Sequence, residues 1–157
     1  MLFRNLRLIS LDWCRPKDPA VALASGSILA AVRRFYPSTE SVLSSYNVNQ
    51  PGFQWETVVQ DVFDSKPTKE TLIGIGAYIW CESHVQSILN RLRSVKFPGR
   101  ILVGGPQISY STDDLSLFYP QADLFIRGYA ESALCKLIST ATKDNPTPAI
   151  LCAPRAI

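Results

Sequence analysis

Histidine is nearly missing from this 157-residue chain, which has a single one, His84. Without a second histidine, we find no convincing pair of nucleophile and base for covalent catalysis. The four cysteines, Cys14, Cys81, Cys135 and Cys152, lie far apart and form no Cys-x-x-Cys pair. This spacing excludes the usual zinc sites and a disulfide framework. The cysteine usage is typical of a reducing compartment, so we expect a cytoplasmic protein.

The common nucleotide-binding motifs are also missing. No Gly-x-Gly-x-x-Gly follows the first predicted strand, and no Walker phosphate loop occurs. The first loop contains Pro16 and Pro19, which lack the N–H donors that a flavin phosphate needs. Asp12 ends the first predicted strand without a neighbouring acid, unlike the acidic cluster of a response regulator. The sequence therefore lacks the patterns of dinucleotide-binding proteins, Walker-type nucleotide-binding proteins, flavin-binding proteins and response regulators.

Charge and hydropathy exclude two further partners. The 16 basic and 13 acidic residues give a net charge of +3, and the basic ones form no stripe, so nucleic acid is not expected. No apolar run approaches the roughly 18 residues needed to span a membrane, and the first residues do not form a signal peptide. With 46% hydrophobic residues, the chain is long enough for one core. We expect one domain over residues 1–145 and a tail or short extra strand over 146–157.

One stretch stands out among the residues that are present. The apolar run Ile101 to Val103 is followed by Gly104, Gly105 and Pro106. This pattern predicts a buried strand that ends in a loop without side chains, where a flat ligand or another backbone segment can approach closely. A tight turn with no ligand is the simpler interpretation of the glycine pair.

Strand and helix patterns alternate along the chain. Strands are predicted over residues 6–12, 41–48, 71–80, 101–103 and 123–128, and residues 149–152 are a short final strand or a tail. Helices are predicted over about 21–36, 55–63, 83–92, 115–118 and 129–141. Asp18 is expected to cap the first helix, and Ser83 with Gln86 forms a predicted capping box on the third. Alternation of this kind predicts a parallel sheet between two helical layers.

The polar second strand and the apolar third strand favour a flavodoxin-like, Rossmann-like sheet of five strands in the order 2-1-3-4-5. Ligands of such sheets bind beyond the carboxyl ends of the strands. The loops predicted there are residues 13–18, 78–83 and 104–108. Cys14 and Cys81 fall in or next to them, either as inert buried thiols or as reactive ones. His84 is expected on the surface, in the first turn of a helix.

Three segments, in order, resemble a known family. They are residues 73–80, ending in Tyr78-Ile79-Trp80; residues 101–109, with Gly104-Gly105-Pro106; and residues 122–131, with Asp123, Arg127-Gly128 and Glu131. Together they are similar to the cobalamin-binding-like domain found ahead of many radical S-adenosylmethionine enzymes. The resemblance covers about residues 6–140.

This resemblance implies a corrinoid cofactor, cobalamin, held at the strand ends. The positions that it assigns to cofactor binding are Asp12, Trp13, Cys14, Tyr78, Trp80, Gly104, Gly105, Pro106, Gln107, Gly128, Tyr129 and Glu131. The backbone at the glycine pair would approach the corrin ring or the nucleotide tail, and the aromatic side chains would supply flat apolar contacts. No separate metal ligand is assigned, so the only metal implied is the cobalt of the cofactor.

The chain departs from the family in three ways. The Asp-x-His-x-x-Gly loop that supplies a lower histidine ligand is replaced by Asp12-Trp13-Cys14-Arg15-Pro16-Lys17, which implies base-off cobalamin without a protein histidine. The usual Gly-Glu-Gly-Glu ending is here Gly128-Tyr129-Ala130-Glu131, so Tyr129 would line or fill the site. No Cys-x-x-x-Cys-x-x-Cys is present for an iron–sulfur cluster, and the chain stops where a radical domain would begin.

The sequence therefore supports a cofactor-binding or accessory module that does no chemistry alone. Its partner would be a radical S-adenosylmethionine or methyltransferase protein in trans. The alternative is a structural or interaction module that has kept the fold and lost the cofactor. A third, weaker hypothesis is an enzyme that uses Cys14 or Cys81 as a nucleophile or ligand.

Overall fold

A parallel sheet of six strands forms the centre of the molecule. The computed structural model describes residues 3–19, 22–140 and 150–152. The strands are β1 (Asn5–Asp12), β2 (Glu40–Asn47), β3 (Thr71–Gly76), β4 (Arg100–Gly104), β5 (Leu124–Arg127) and β6 (Ile150–Cys152). Their order in the sheet is β2-β1-β3-β4-β5-β6, and every neighbouring pair is parallel. The flavodoxin-like order is confirmed, and the polar strand β2 lies at an edge as expected.

The sixth strand corrects the predicted count of five. Phe125 of β5 pairs with Ile150, and Arg127 pairs with Cys152. Residues 150–152, for which the sequence left a strand and a tail both open, form a strand. Three residues are too few for a clear alternation of apolar and polar side chains, so the strand is defined by its pairing rather than by its sequence.

Helices cover both faces of the sheet. They are α1 (Leu23–Phe35), α2 (Trp55–Asp64), α3 (Glu82–Ser94), α4 (Pro106–Ser109), α5 (Leu115–Phe118) and α6 (Ala130–Thr140). One core joins α2 and α3 to one sheet face, and a second core joins α1 and α6 to the other. Burial of apolar side chains in these two layers is the main force that holds the sheet and its helices together. None of the helices among the described residues has the length and apolarity to cross a bilayer.

Three helix boundaries differ from the predictions. The carboxylate of Asp18 accepts a hydrogen bond from the backbone N–H of Arg15 at 2.7 Å, and α1 begins later, with Ala22 as its uncapped N-cap. Helix α3 begins one residue early, and its N-cap, Cys81, makes no side-chain cap. Pro106 not only ends β4 but also opens the short helix α4, because its fixed φ suits a first helical position.

Strand β3 is also shorter than predicted. It ends at Gly76, because the next residue, Ala77, turns across the end of β4: its N–H donates to the carbonyl of Gly104 at 2.8 Å. The apolar residues that follow, Ile79 and Trp80, are exposed in the loop before α3. Apolar composition alone could not separate the strand from this loop.

The side chains on the α1 and α6 face form two rows across the sheet. Leu8, Gly74 and Leu102 are aligned in register, and all three face the second core. One repeat further towards the carboxyl ends, Gly76 pairs with Gly104. Side chains alternate between faces along a strand, so this second row lies on the same face as the first. The two glycines of this second row therefore add no side chain of their own at the carboxyl edge of the sheet.

Candidate functional site

A cavity of about 720 Å³ lies over this part of the sheet. Its walls come from the carboxyl halves of β1, β3, β4 and β5, from the first turns of α1 and α6, and from the loops that join them. It lies at the carboxyl edge, where ligands of parallel sheets bind. Its volume is within the range of small-molecule sites, which is roughly 300–1,000 Å³.

The floor of the cavity is flat because three small residues lie side by side. Ser10 of β1 is one position beyond the Ile9–Ile75 pair, which places it beside Gly76, and Gly76 pairs with Gly104. All three line the cavity. Neighbouring strands are about 4.8 Å apart, so the row extends about 10 Å across the sheet. The row itself therefore adds no large side chain to the cavity, and the ring that covers its centre comes from the following loop, at Tyr78.

Apolar side chains surround the inner part of the cavity. Leu8 and Leu102 cover the sheet next to the glycine floor, and Leu134 of α6 and Ile28 of α1 close the space between the helices. Leu8, Leu102 and Leu134 belong to the buried core of this face. The cavity thus continues the core towards the solvent and suits an apolar group.

The two glycines of the pair have different roles. Gly105 has φ +98°, and a Cβ there would lie 2.8 Å from the carbonyl oxygen of Ala77. Gly105 is therefore required for the close passage of two backbone segments, which is the tight-turn interpretation. A Cβ on Gly104 would meet Ile126 only at ordinary contact distance, 3.8 Å or more. At Gly104 the missing side chain instead gives space to the cavity.

Tyr78 lies over the middle of the floor, at Gly76. Its ring stacks on Trp80 with centroids 4.5 Å apart, and Trp80 Nε1 donates to the carbonyl of Leu11 at 3.0 Å. A Cβ on Gly76 would lie 2.8 Å from Tyr78 Cε2, so the ring covers that glycine closely. Burial raises the pKa of the Tyr78 hydroxyl, and the charge of Asp12 raises it further. Tyr78 therefore offers the cavity a neutral aromatic ring.

A chain of hydroxyl groups runs along the β1 side. Ser25 Oγ of α1 donates to Ser10 Oγ at 3.0 Å, and Ser10 Oγ donates to Asp12 Oδ1 at 2.7 Å. Asp12 itself does not line the cavity, but this chain connects it to the floor. Two serine oxygens are therefore available to a polar group of a ligand on this side.

The opposite side is formed by the turn into α6. Gly128 adopts φ +79°, and its N–H donates to Ser109 Oγ at 3.0 Å. The Tyr129 ring is 79% exposed beside the mouth. Glu131 Oε1 accepts a hydrogen bond from Ser27 Oγ at 2.7 Å, which joins α6 to α1 across the mouth. The Glu131 carboxylate and the rings of Tyr129 and Tyr78 thus surround the opening.

The structure brings seven of the twelve predicted site residues to the cavity. These are Tyr78, Gly104, Gly105, Pro106, Gly128, Tyr129 and Glu131. The lining does not include Asp12, Trp13, Cys14, Trp80 and Gln107. Two of these five residues contact the lining: Asp12 accepts a hydrogen bond from Ser10, and Trp80 stacks on Tyr78.

The loop after β1 bends towards β2 rather than over the cavity. The N–H of Cys14 donates to Asn49 Oδ1 at 3.0 Å, and Asn49 Nδ2 donates to the carbonyl of Cys14 at 2.9 Å. Trp13 is 57% exposed. Gln107 donates its N–H to the carbonyl of Ala77 and supports the turn at Gly105.

Neither of the two candidate thiols, Cys14 and Cys81, lines the cavity. Cys81 is fully buried, and burial raises the pKa of its thiol to about 11. Its Sγ contacts the carbonyl oxygens of Tyr78 at 3.6 Å and Gly76 at 3.8 Å. A thiol with such a pKa stays protonated at neutral pH and is a poor nucleophile. Cys14 is half-buried in the loop held by Asn49.

The single histidine lies away from the cavity. His84, expected at the surface, is half-buried in α3, where its ring meets Phe53 edge to face at 5.0 Å. Phe53 lies in the loop before α2, far from His84 in the sequence, so sequence spacing did not indicate this partner. Among the residues that the structure describes, no group of three or more potential metal ligands comes together.

Four serines of the lining were not predicted. They are Ser10, Ser25, Ser27 and Ser109. Ser10 had a detectable signal, because it is the one polar residue in the otherwise apolar run from Leu8 to Leu11. The two serines of α1 had no comparable signal, since their hydroxyl partners, Ser10 and Glu131, are distant in the sequence.

Comparison with known proteins places this geometry in context. No family profile matches the chain, and no curated protein is detectably similar to it in sequence. Solved structures are similar in fold. The cobalamin-dependent S-adenosylmethionine radical enzyme OxsB, with aqua-cobalamin and S-adenosylmethionine bound, aligns with a TM-score of 0.69 at 21% identity. The alignment covers 87% of this chain and 18% of OxsB.

The radical S-adenosylmethionine methyltransferase TsrM from Kitasatospora setae, with tryptophan substrate and a S-adenosylmethionine analogue bound, gives a TM-score of 0.64 at 17% identity. Here the alignment covers 87% of this chain and 25% of TsrM. The chain thus spans between about a fifth and a quarter of the length of these enzymes. It shares the flavodoxin-like fold of a part of them.

Proposed function

We propose that this chain is a cobalamin-binding module that holds its cofactor over the glycine floor, without a histidine ligand from the protein. It is an accessory domain rather than a complete enzyme. Its partner is a radical S-adenosylmethionine or methyltransferase protein that acts on the bound corrinoid. The fold supports this proposal, because the chain is similar in fold to part of OxsB, whose structure contains aqua-cobalamin.

The observation that carries this proposal is the floor of Ser10, Gly76 and Gly104 in a cavity of about 720 Å³. Core packing alone would fill the end of a sheet with larger side chains, because protein interiors are close-packed. Here glycines stand on two adjacent strands at the same level. They leave a partly apolar space, beside the Tyr78 ring that covers Gly76, and this space suits a planar group of the cofactor.

The residues present fit cobalamin in chemical type. The apolar inner part, with Leu8, Leu102 and Leu134, suits the aromatic base at the end of the nucleotide tail. Ser10 and Ser25 offer hydroxyl groups to its polar atoms. At the mouth, Tyr78 and Tyr129 suit contact with the flat corrin ring.

The absence of a histidine from the lining fits a base-off cofactor, held by its tail and ring rather than through the cobalt. When bound, cobalamin supplies a cobalt centre that can carry an alkyl group or exchange electrons. The lining residues would hold the cofactor in place and keep water from the space around it.

Mixing purified protein with hydroxocobalamin tests the proposal. We expect co-elution of the pigment on gel filtration and a change in its visible spectrum. Cobinamide, which lacks the nucleotide tail, should bind at least tenfold more weakly if the tail occupies the cavity, since it loses more than about 1.4 kcal/mol of contacts. No spectral change and no co-elution with hydroxocobalamin would reject the proposal.

A pair of variants locates the site. Gly104→Leu places a large side chain on the floor, where a Cβ itself is tolerated, and should abolish pigment binding while the protein stays folded. Ala30→Leu adds the same bulk on the exposed side of α1 and should bind like the wild type. Equal binding by both variants would place the cofactor elsewhere.

The exposed apolar residues of the carboxyl edge favour a second candidate, a protein-interaction module without a cofactor. Ile79 is 82% exposed and Trp13 is 57% exposed at this edge. These two side chains follow the ends of the neighbouring strands β3 and β1, and exposed apolar patches are typical of interaction surfaces. The binding of a purified radical S-adenosylmethionine protein, lost in Ile79→Asp and unaffected by hydroxocobalamin, would favour this candidate over the first.

A further inference from the structure

The first two turns of α1 are held weakly compared with the rest of the helix. The N-cap residue, Ala22, makes no side-chain hydrogen bond, and the first turn contains no acidic residue to oppose the helix dipole. Leu23 is 87% exposed. Gly26, in the second turn, lowers helix stability relative to alanine. Local sequence therefore does little to keep these turns helical.

Packing also supports only the second half of this helix. Val32 is the buried residue of α1, and it joins Leu134, Leu137 and Ile138 of α6 in one core. Before Ile28, the space between α1 and α6 is the cavity itself, so the first turns have few apolar contacts. Helix α1 is thus anchored at its carboxyl half and open at its amino half.

Two serine hydroxyls connect the open half to the rest of the protein. Ser25 Oγ donates to Ser10 Oγ on the sheet at 3.0 Å. Ser27 Oγ donates to Glu131 Oε1 on α6 at 2.7 Å. The second bond joins residues 104 positions apart and crosses the mouth of the cavity. Because water competes for both hydroxyl groups, the net contribution of each hydrogen bond to stability is small, and the bonds open readily.

We infer that residues 22–28 form a gate to the cavity, closed by the Ser27–Glu131 bond and opened by local unfolding of the first two turns of α1. Opening widens the mouth between α1 and α6 while the core around Val32 stays packed. The opening itself is a property of the chain alone. What passes through the gate rests on the proposed function.

Hydrogen exchange of the protein without cofactor tests the gate directly. The amides of residues 26–30 donate to carbonyls of residues 22–26 in the helix and report on the first two turns. We expect them to exchange faster than those of residues 31–35. Ser27→Ala should speed their exchange about two- to fivefold, since it removes one exposed hydrogen bond.

Two further variants control this experiment. Ala22→Asp adds the missing cap at a residue outside the lining and should slow the same amides about two- to fivefold. Ser132→Ala removes an exposed serine that neighbours Glu131 and does not line the cavity, and should have no effect. Unchanged exchange in both Ser27→Ala and Ala22→Asp would overturn the inference.

The kinetics of hydroxocobalamin binding separate a gate from a ligand contact. A gate changes association and release by the same factor, so Ser27→Ala should speed both about two- to fivefold without altering Kd. Faster release with unchanged association would make Ser27 a contact of the cofactor and would overturn the gate. If the wild type binds no hydroxocobalamin while the exchange results hold, the proposed function fails and the gate stands.

Discussion

The two glycines at the end of β4, Gly104 and Gly105, have different structural roles. Gly105 is required by its backbone, because a Cβ would lie 2.8 Å from the carbonyl of Ala77 at a φ of +98°. Gly104 has no such constraint and opens the cavity floor. Sequence alone ascribes the same conformational freedom to both.

Alanine substitutions should separate these duties. Gly105→Ala should lower the free energy of unfolding by about 3 kcal/mol, through backbone strain and the clash with Ala77. Gly104→Ala should change it by less than about 1 kcal/mol, because its Cβ would make only ordinary contacts. Urea denaturation measures both values. Similar losses in the two variants would contradict the assignment.

The buried thiol of Cys81 gives a second prediction at this scale. Burial raises its folded pKa to about 11 from 9.0, so the native state keeps a proton that the unfolded state releases. The contribution of this thiol to stability is complete at a pH below its pKa in the unfolded state. It declines as the pH rises towards its pKa in the folded state. Between about pH 8 and pH 10 the loss is about 1 kcal/mol.

Chemical denaturation of wild type and Cys81→Ala at these two pH values measures this effect. The decline in unfolding free energy should be about 1 kcal/mol smaller in the variant. The pKa of Tyr46, which burial and the nearby Asp61 also raise, has no contribution from Cys81, so its titration cancels in the comparison. Parallel declines would show that Cys81 titrates normally in the folded protein.

At the scale of elements, one carboxylate fixes the entry to β5. Asp123 Oδ2 accepts the N–H of Ile101 at 2.7 Å and pairs with Arg93 Nη2 at 2.6 Å. Arg93 Nε also donates to the carbonyl of Gln121 at 2.7 Å. These bonds join α3, the start of β4 and the loop before β5. They lie at the amino edge of the sheet, opposite the cavity.

Asp123→Ala should therefore lower the free energy of unfolding by about 1–2 kcal/mol, because the pair is partly exposed. Binding of hydroxocobalamin should be unchanged. Asp113→Ala, at an exposed loop position, serves as the matched control and should have little effect. Thermal and urea denaturation give the stability, and titration of the visible spectrum gives the affinity. A loss of affinity with full stability would place Asp123 in the site.

For the whole molecule, the cavity makes stability depend on its ligand. A ligand that binds only the folded state adds about 2.7 kcal/mol at a concentration one hundred times its Kd. For a chain of this size that corresponds to a rise in Tm of about 5–10 °C. We expect hydroxocobalamin to produce this rise in the wild type and not in Gly104→Leu. An equal rise in both would indicate binding outside the cavity.

The order of the strands and the two helical layers were predictable from the sequence. Apolar periodicity from Trp55 to Phe63 marks α2, and the apolar run from Thr71 to Gly76 marks the central strand. These signals are local, because burial imposes a period of 3.6 residues on helices and of two on half-buried strands. The periodicity of a segment can be seen without knowing which other segment packs against it.

The cavity itself was decided by the tertiary structure. Ser10 stands beside Gly76 and Gly104 only because the register aligns three strands, and Ser27 meets Glu131 only because α1 and α6 pack on one face. The two glycines differ in role because the backbone of Ala77 passes close to Gly105 and not to Gly104. Such contacts join residues far apart in the chain, and local propensity carries no information about them. The sequence by itself determined which segments are buried, and packing of the segments decided which space they leave open.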